Sequence, residues 1–150
     1  MRRHLAIMHQ SVIEAILLGR KTIETRFSKH RIVPFGAISV GDLVYLKPPG
    51  KEIEGQFRVK KVYTYDGLTT SDVEKIFTEF KSEIATGDQD FDRGYLIQKR
   101  GSLFGTVIFI GDSERFINLA IISRALNSRA NITSPIKITK SDRRGWVVIG

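Results

Sequence analysis

The stretch Gly19-Arg20-Lys21-Thr22-Ile23-Glu24-Thr25-Arg26 sets ionic groups at alternate positions, directly after a segment with helical periodicity. Successive side chains of a strand point to opposite faces. A strand over residues 21–27 therefore puts Thr22, Glu24 and Arg26 on one face and Lys21, Ile23 and Thr25 on the other. A carboxylate two residues from a guanidinium is costly to bury unless the two pair or line a polar cleft. Either these charges face water on an edge strand, or they floor a cleft. The helix before them and the Gly41-Asp42 pair after them favour the cleft.

Working outward, residues 4–8 predict a first strand. Ser11 followed by Glu14 has the form of a capping box. Val12, Ile13, Ile16 and Leu17 recur at helical spacing, and Gly19 supplies a left-handed stop. Residues 28–35, with His30, Arg31 and Pro34, read as a basic loop. Gly41-Asp42 is a turn, residues 43–47 a strand, and Pro48-Pro49-Gly50-Lys51 a second turn. Residues 54–65 alternate, with Phe57, Val59, Tyr63 and Tyr65 at one parity, as a half-buried antiparallel strand does. Thr69 or Thr70 caps a helix running to about residue 83, with Val73, Ile76, Phe77 and Phe80 as its core stripe.

Residues 87–92 read as an acidic loop and 91–99 as including a short helix. Residues 103–110 predict a strand closed by Gly111-Asp112. Beyond it, 116–126 fits a helix packed on the barrel and 127–135 a loop in which Asn127-Ser128-Arg129 is exposed. A short strand at 135–140, a basic turn at 141–144 and a closing strand at 145–149 complete the reading. Five or six strands with helices between them, and no regular βα alternation, predict an α+β fold: a small mixed barrel forming a single domain over 1–150.

At 150 residues the chain is long enough for its own core. It contains no apolar run of ~18 residues, so no membrane span is expected. The start Met1-Arg2-Arg3-His4 leads into too short an apolar run for a signal peptide, which points to the cytoplasm. Cysteine is absent, which excludes disulfides, thiolate metal sites and a cysteine nucleophile. His4, His9 and His30 have no metal-ligand spacing, so no metal or cofactor is expected. The net charge of +8 is unevenly spread. Residues 66–92 hold eight acidic and two basic residues, a net −6, whereas the rest holds 22 basic and eight acidic, a net +14. A basic body with one acidic segment suits a face that binds a polyanion.

The order of elements resembles a known family. A helix, G-R-K-T-I-E-T-R, a basic loop, V-G-D-L-V-Y-L and a strand E-G-Q-F-R-V-K-K-V are together similar to the ASCH domain, a branch of the PUA-like superfamily. The similarity runs from residue 4 to about residue 110, with 145–149 closing the barrel. It implies a PUA-like mixed β-pseudobarrel of five to six strands, with helices inserted around it, a cleft beside Lys21–Arg26 and a role in handling RNA or DNA. One ASCH subgroup is a small amidohydrolase acting on N-acetylated cytidine, in which a lysine is followed three residues later by a threonine nucleophile. Lys21 matches that lysine, but the threonine position is Glu24 here, a poor stand-in for a hydroxyl that must form an acyl intermediate. Another member is described as a metal-independent ribonuclease.

Lys21 is the first candidate, as a cleft ammonium on phosphate or an amine of lowered pKa. Glu24 would act as general base or as acceptor for a base amino group, and Arg26 as a fork for phosphate, or as the partner that orients Glu24. Arg20, Thr22, Lys29 and Arg31 are candidate contacts to nucleic acid, as are Arg143 and Arg144 before Trp146. The resemblance adds Tyr95 beside the cleft. Tyr45, Tyr63, Tyr65 and Phe35 are core or base-stacking residues, with core the commoner role at strand spacing. Trp146 reads as core, Asp42 as a turn residue and His9 as a capping or packing residue. Three functions follow: an RNA-binding module, a small hydrolase using Lys21 and Glu24, and a protein-interaction domain docking through the acidic segment.

Overall fold

Residues 1–117 and 145–150 are described by the computed structural model, and within them the chain alternates strands and short helices around one curled sheet. The strands are β1 (Arg3–Ile7), β2 (Ile23–Ser28), β3 (Leu43–Lys47), β4 (Gly55–Asp66), β5 (Phe104–Arg115) and β6 (Trp146–Val148). The helices are α1 (Gln10–Leu17), α2 (Thr70–Glu79), α3 (Lys81–Ile84) and α4 (Gln89–Lys99). The sheet order is β2-β5-β4-β3-β1-β6, with β1 and β3 parallel and every other neighbour antiparallel. This is the α+β mixed barrel that the spacing of the elements predicts, in the pseudobarrel form that the resemblance implies. The expectations for 118–144 lie outside the described residues: most of the helix at 116–126, the loop at 127–135 with Asn127-Ser128-Arg129, the strand at 135–140 and the basic turn at 141–144.

Two apolar clusters lie on the two faces of β5. Val107 and Ile108 are both fully buried, and strand alternation sends them to opposite sides. Ile108 joins Ile13, Ile16, Leu46, Phe57 and Trp146 inside the curl of the sheet. Val107 joins Ile23, Phe27, Val73, Ile76 and Phe77, which pack α2 against β2. The predicted α2 stripe is therefore core, with Phe80 only partly buried at its end. Thr69 caps α2 in a full capping box with Asp72, each side chain meeting the other's backbone N–H.

Several boundaries differ from expectation. Helix α1 is capped by His9, whose Nδ1 accepts from Ser11 N at 3.2 Å, so Ser11 lies inside the helix. Glu14 makes no capping box; Arg115 clamps it with two bonds of 2.9 Å. The helix predicted to reach residue 83 breaks at Phe80 into α2 and α3. Strand β5 does not end at Gly111-Asp112 but runs on to Arg115, because register shifts in its pairing with β4 absorb the irregularity there. Asp112 takes φ +29° within it.

Asp42 does more than form a turn. Its buried carboxylate accepts from Arg2 N at 2.9 Å, Ser39 N at 2.9 Å and His4 Nε2 at 2.8 Å. On the other side of the fully buried His4 ring, Trp146 Nε1 donates to Nδ1 at 3.1 Å. An indole N–H can only donate. Nδ1 is therefore the acceptor, and the His4 proton sits on Nε2, facing Asp42. This relay fixes β6 to β1 and brings Trp146 to the side of the cleft.

Candidate functional site

Helix α1 ends where Leu18 and Gly19 fold back, Gly19 taking φ +79°, which glycine adopts without penalty. Lys21 N then bonds Ala15 O at 3.0 Å, and Thr22 N bonds Glu83 O at 2.9 Å, so neither N–H is donated to a neighbouring strand. The strand proper starts at Ile23. This corrects the expected face pattern: Lys21, not being in the strand, turns its side chain to the side that Glu24 occupies.

Lys21 Nζ lies 3.7 Å from Glu24 Oε1 and donates to Ile84 O at 2.6 Å, with the lysine only 4% exposed. Arg26, two residues along β2, approaches Glu24 Oε2 at 3.5 Å, as alternation requires. Glu24 Oε1 also accepts from Thr25 N at 2.9 Å. A buried carboxylate is thus flanked by two cations and a backbone donor, which meets the cost of burying it. Burial pushes the Lys21 ammonium below its usual pKa, while the charges of Glu24 and Asp92 act against the shift. Asp92 is itself held by Thr86 N and Oγ1, the latter at 2.8 Å.

These groups line a cavity of about 950 Å³ between β2 and helices α2 to α4. That volume falls at the upper end of the ~300–1,000 Å³ usual for small-molecule sites. Tyr95, on α4, crosses it to donate from its hydroxyl to Thr25 O at 2.8 Å. Burial, then the Glu24 charge, pushes the Tyr95 phenol up to about 12. Lys99, one turn on, has its ammonium pushed below the usual value by burial and by the charge of Arg26. Arg26 also donates to Gly145 O at 3.1 Å, and its guanidinium lies 5.1 Å from the centre of the Trp146 ring. Exposed Lys81 and Arg93 stand at the wall of the cavity, and Phe91 lines it while packing on His9.

The structure therefore brings together Lys21, Glu24, Arg26 and Tyr95. It does not place the remaining described candidates in this cavity. Arg20 and Thr22 are exposed outside it, and Lys29 lies on an exposed loop. Arg31 is engaged elsewhere, paired with Asp66 at 2.8 Å and packed over Phe104. Arg143 and Arg144 lie outside the described residues. Of the aromatics, Tyr45 and Trp146 are buried, while Tyr63 stays exposed and meets Phe109 edge to face. Sequence reading missed Lys81, Asp92, Arg93 and Lys99. A signal existed: Asp92, Tyr95 and Lys99 recur at i, i+3, i+7, which sets them on one helix face. Among the described residues no cluster of His, Asp or Glu converges to hold a metal ion, and no helix is long and apolar enough to cross a membrane.

No family model matches the sequence, and no curated protein does. Solved structures do match in three dimensions. ASCH from Zymomonas mobilis superposes with a TM-score of 0.60 at 18% identity, covering 99% of this chain and 87% of that one. A single-substitution variant of that protein gives 0.61 at 18% identity, covering 100% and 91%. The hypothetical protein PH0355 gives 0.52 at 20% identity, covering 77% of this chain and 100% of its own. At such identities the likeness speaks for fold alone. The six-stranded pseudobarrel described above, with its helices, has the ASCH-domain fold.

Proposed function

We propose that this chain binds single-stranded RNA and seats one unstacked nucleotide in the cavity beside Lys21. The observation that carries this reading is the floor of that cavity, where a buried ammonium and a partly buried guanidinium lie 3.7 and 3.5 Å from one buried carboxylate. A base edge presents donors and acceptors side by side, and Glu24 and Lys21 offer the complementary pair. The charges lining the cavity favour an anion. Lys21, Arg26, Lys81, Arg93 and Lys99 face only two carboxylates among the residues that line it, Glu24 and Asp92. Exposed Lys81 and Arg93 would meet the phosphates while the base points inward. What the solved relatives share with this chain is the fold, and the RNA preference rests on the resemblance of G-R-K-T-I-E-T-R to the ASCH pattern.

The test is an anisotropy titration of a labelled single-stranded RNA at low and moderate salt. Wild type is expected to bind, with affinity falling steeply as salt rises because counterions are released. Lys81→Ala/Arg93→Ala changes two exposed residues, leaves the core untouched and is expected to flatten the salt slope by roughly 1.4. Glu24→Gln is expected to alter base preference, and circular dichroism checks its fold. No binding by wild type at low salt would refute the reading.

A second reading, a small hydrolase, draws on the lowered pKa of Lys21, which makes its amine more available as a base. In RNA cleavage without a metal, the amine would take the ribose 2′-hydroxyl proton and the 2′ oxygen would attack phosphorus. The 5′ oxygen would then leave with a proton from an acid. RNA ending in a 2′,3′-cyclic phosphate, formed by wild type and not by a folded Lys21→Met variant, would decide for it. Intact RNA after prolonged incubation would decide against it.

A further inference from the structure

A second hollow, of about 440 Å³, lies on the far side of Arg26 from the cavity just described. Its walls are mostly apolar: Ile32, Val33, Pro34, Phe35, Phe104 and Trp146. Ile32 and Val33 are 58% and 41% exposed, unusual for branched aliphatic residues beside a groove. Phe35 and Phe104 meet edge to face at 5.3 Å, and Arg31 packs over both, which fixes the pair as a rigid wall. Arg26, Phe27 and Lys99 line both hollows, so the partition between them is built largely of two cations. Like charges so placed repel, and an anion lying across them would relieve the repulsion of both.

A polar cavity and an apolar one, joined at a cationic partition, match a particular ligand. Successive nucleotides of a single strand present a base, a bridging phosphodiester and another base. We infer that the two hollows form one site for two consecutive nucleotides of an RNA strand. One base enters beside Lys21 and Glu24, the next stacks in the groove against Phe35 and Phe104, and the linking phosphate lies on Arg26 and Lys99. This rests on the RNA-binding reading above and adds a footprint to it. Groove recognition is by stacking and is therefore tolerant of base identity, as in sequence-indifferent single-strand binders.

Isothermal titration with uridine 5′-monophosphate, UpU and UpUpU tests it. The dinucleotide is expected to bind at least ~10-fold more tightly than the mononucleotide, the scale of one stacked base. The trinucleotide should gain less than ~3-fold more. Ile32→Ser/Val33→Ser alters exposed residues that line the groove alone. It is expected to weaken UpU by ~10-fold and the mononucleotide by less than twofold. Lys99→Gln is expected to weaken UpU more than the mononucleotide. Equal affinities of wild type for the mononucleotide and UpU would overturn the two-nucleotide site while leaving the RNA-binding reading standing. So would equal weakening of both ligands by the groove variant. If none of the three ligands binds, the RNA-binding reading falls and the inference with it.

Discussion

Replacing Lys21 by methionine keeps the length of the side chain and removes its charge, which isolates the role of the ammonium. In the native protein the group donates to Ile84 O at 2.6 Å and lies 3.7 Å from Glu24, with both residues nearly inaccessible. Breaking a buried ion pair by removing one partner costs ~3–5 kcal/mol when the remaining charge is left alone. Glu24 is not left alone, since Thr25 N at 2.9 Å and Arg26 at 3.5 Å still serve it. The desolvation of the ammonium is also relieved. The expected destabilisation is therefore lower, about 2–3 kcal/mol, and in urea a slope of ~2 kcal/mol per molar turns it into a midpoint shift of ~1–1.5 M. Lys21→Met/Glu24→Gln removes both charges and is expected to lie within ~1 kcal/mol of wild type, as isosteric replacement of whole buried pairs does. The double-mutant cycle measures the difference as a coupling of roughly 2 kcal/mol. Additive single effects, or a Lys21→Met shift under ~0.5 kcal/mol, would mean that the pair does not hold the floor of the cleft and would refute the reasoning.

The alkaline limb of stability should separate Lys21 from Tyr95. Because the folded pKa of Lys21 is lowered from its ordinary 10.5, the unfolded chain holds more protons below that value, so stability rises with pH as 10.5 is approached. Tyr95 is raised from 10.0 to about 12, so its contribution is lost between those values. Urea midpoints across pH 8 to 12 should lose the rise in Lys21→Met and the fall in Tyr95→Phe. Asp42→Ala leaves two backbone N–H groups and His4 Nε2 without an acceptor, and is expected to cost ~3–5 kcal/mol by chemical denaturation. Gly105→Ala places a Cβ 2.5 Å from the ring of Phe27, which is itself wedged against Phe77, and is expected to cost ~1–3 kcal/mol in the same assay.

What was legible in the sequence was what local chemistry decides. The helix start at Thr69 or Thr70, the Val73-Ile76-Phe77 stripe and the β3 strand are each written in residues within a turn or two of one another. The pairing of Glu24 with Arg26 was legible for the same reason, since alternation along one strand settles it. Lys21 was misassigned because a strand's first residue is decided by its partners, here Ala15 O and Glu83 O, and not by its own pattern. The Ser11–Glu14 box failed because His9 competes for the cap and Arg115 draws Glu14 away. About half of the cleft comes from α3, α4 and the loop between them, some 60 to 78 residues after Lys21 in the chain. Nothing local announces that these helices close over β2, although the Asp92-Tyr95-Lys99 face shows what they bring.

Trp146 is the only tryptophan in the chain, and the His4 relay pins its indole against Arg26 at the partition between the two hollows. The molecule therefore carries its one indole emitter at the place where a ligand would arrive. A base stacking in the groove should quench its emission, and a phosphate drawing Arg26 away should shift the spectrum. Every occupancy of the site then becomes readable in unlabelled protein, against a background that no second indole contaminates.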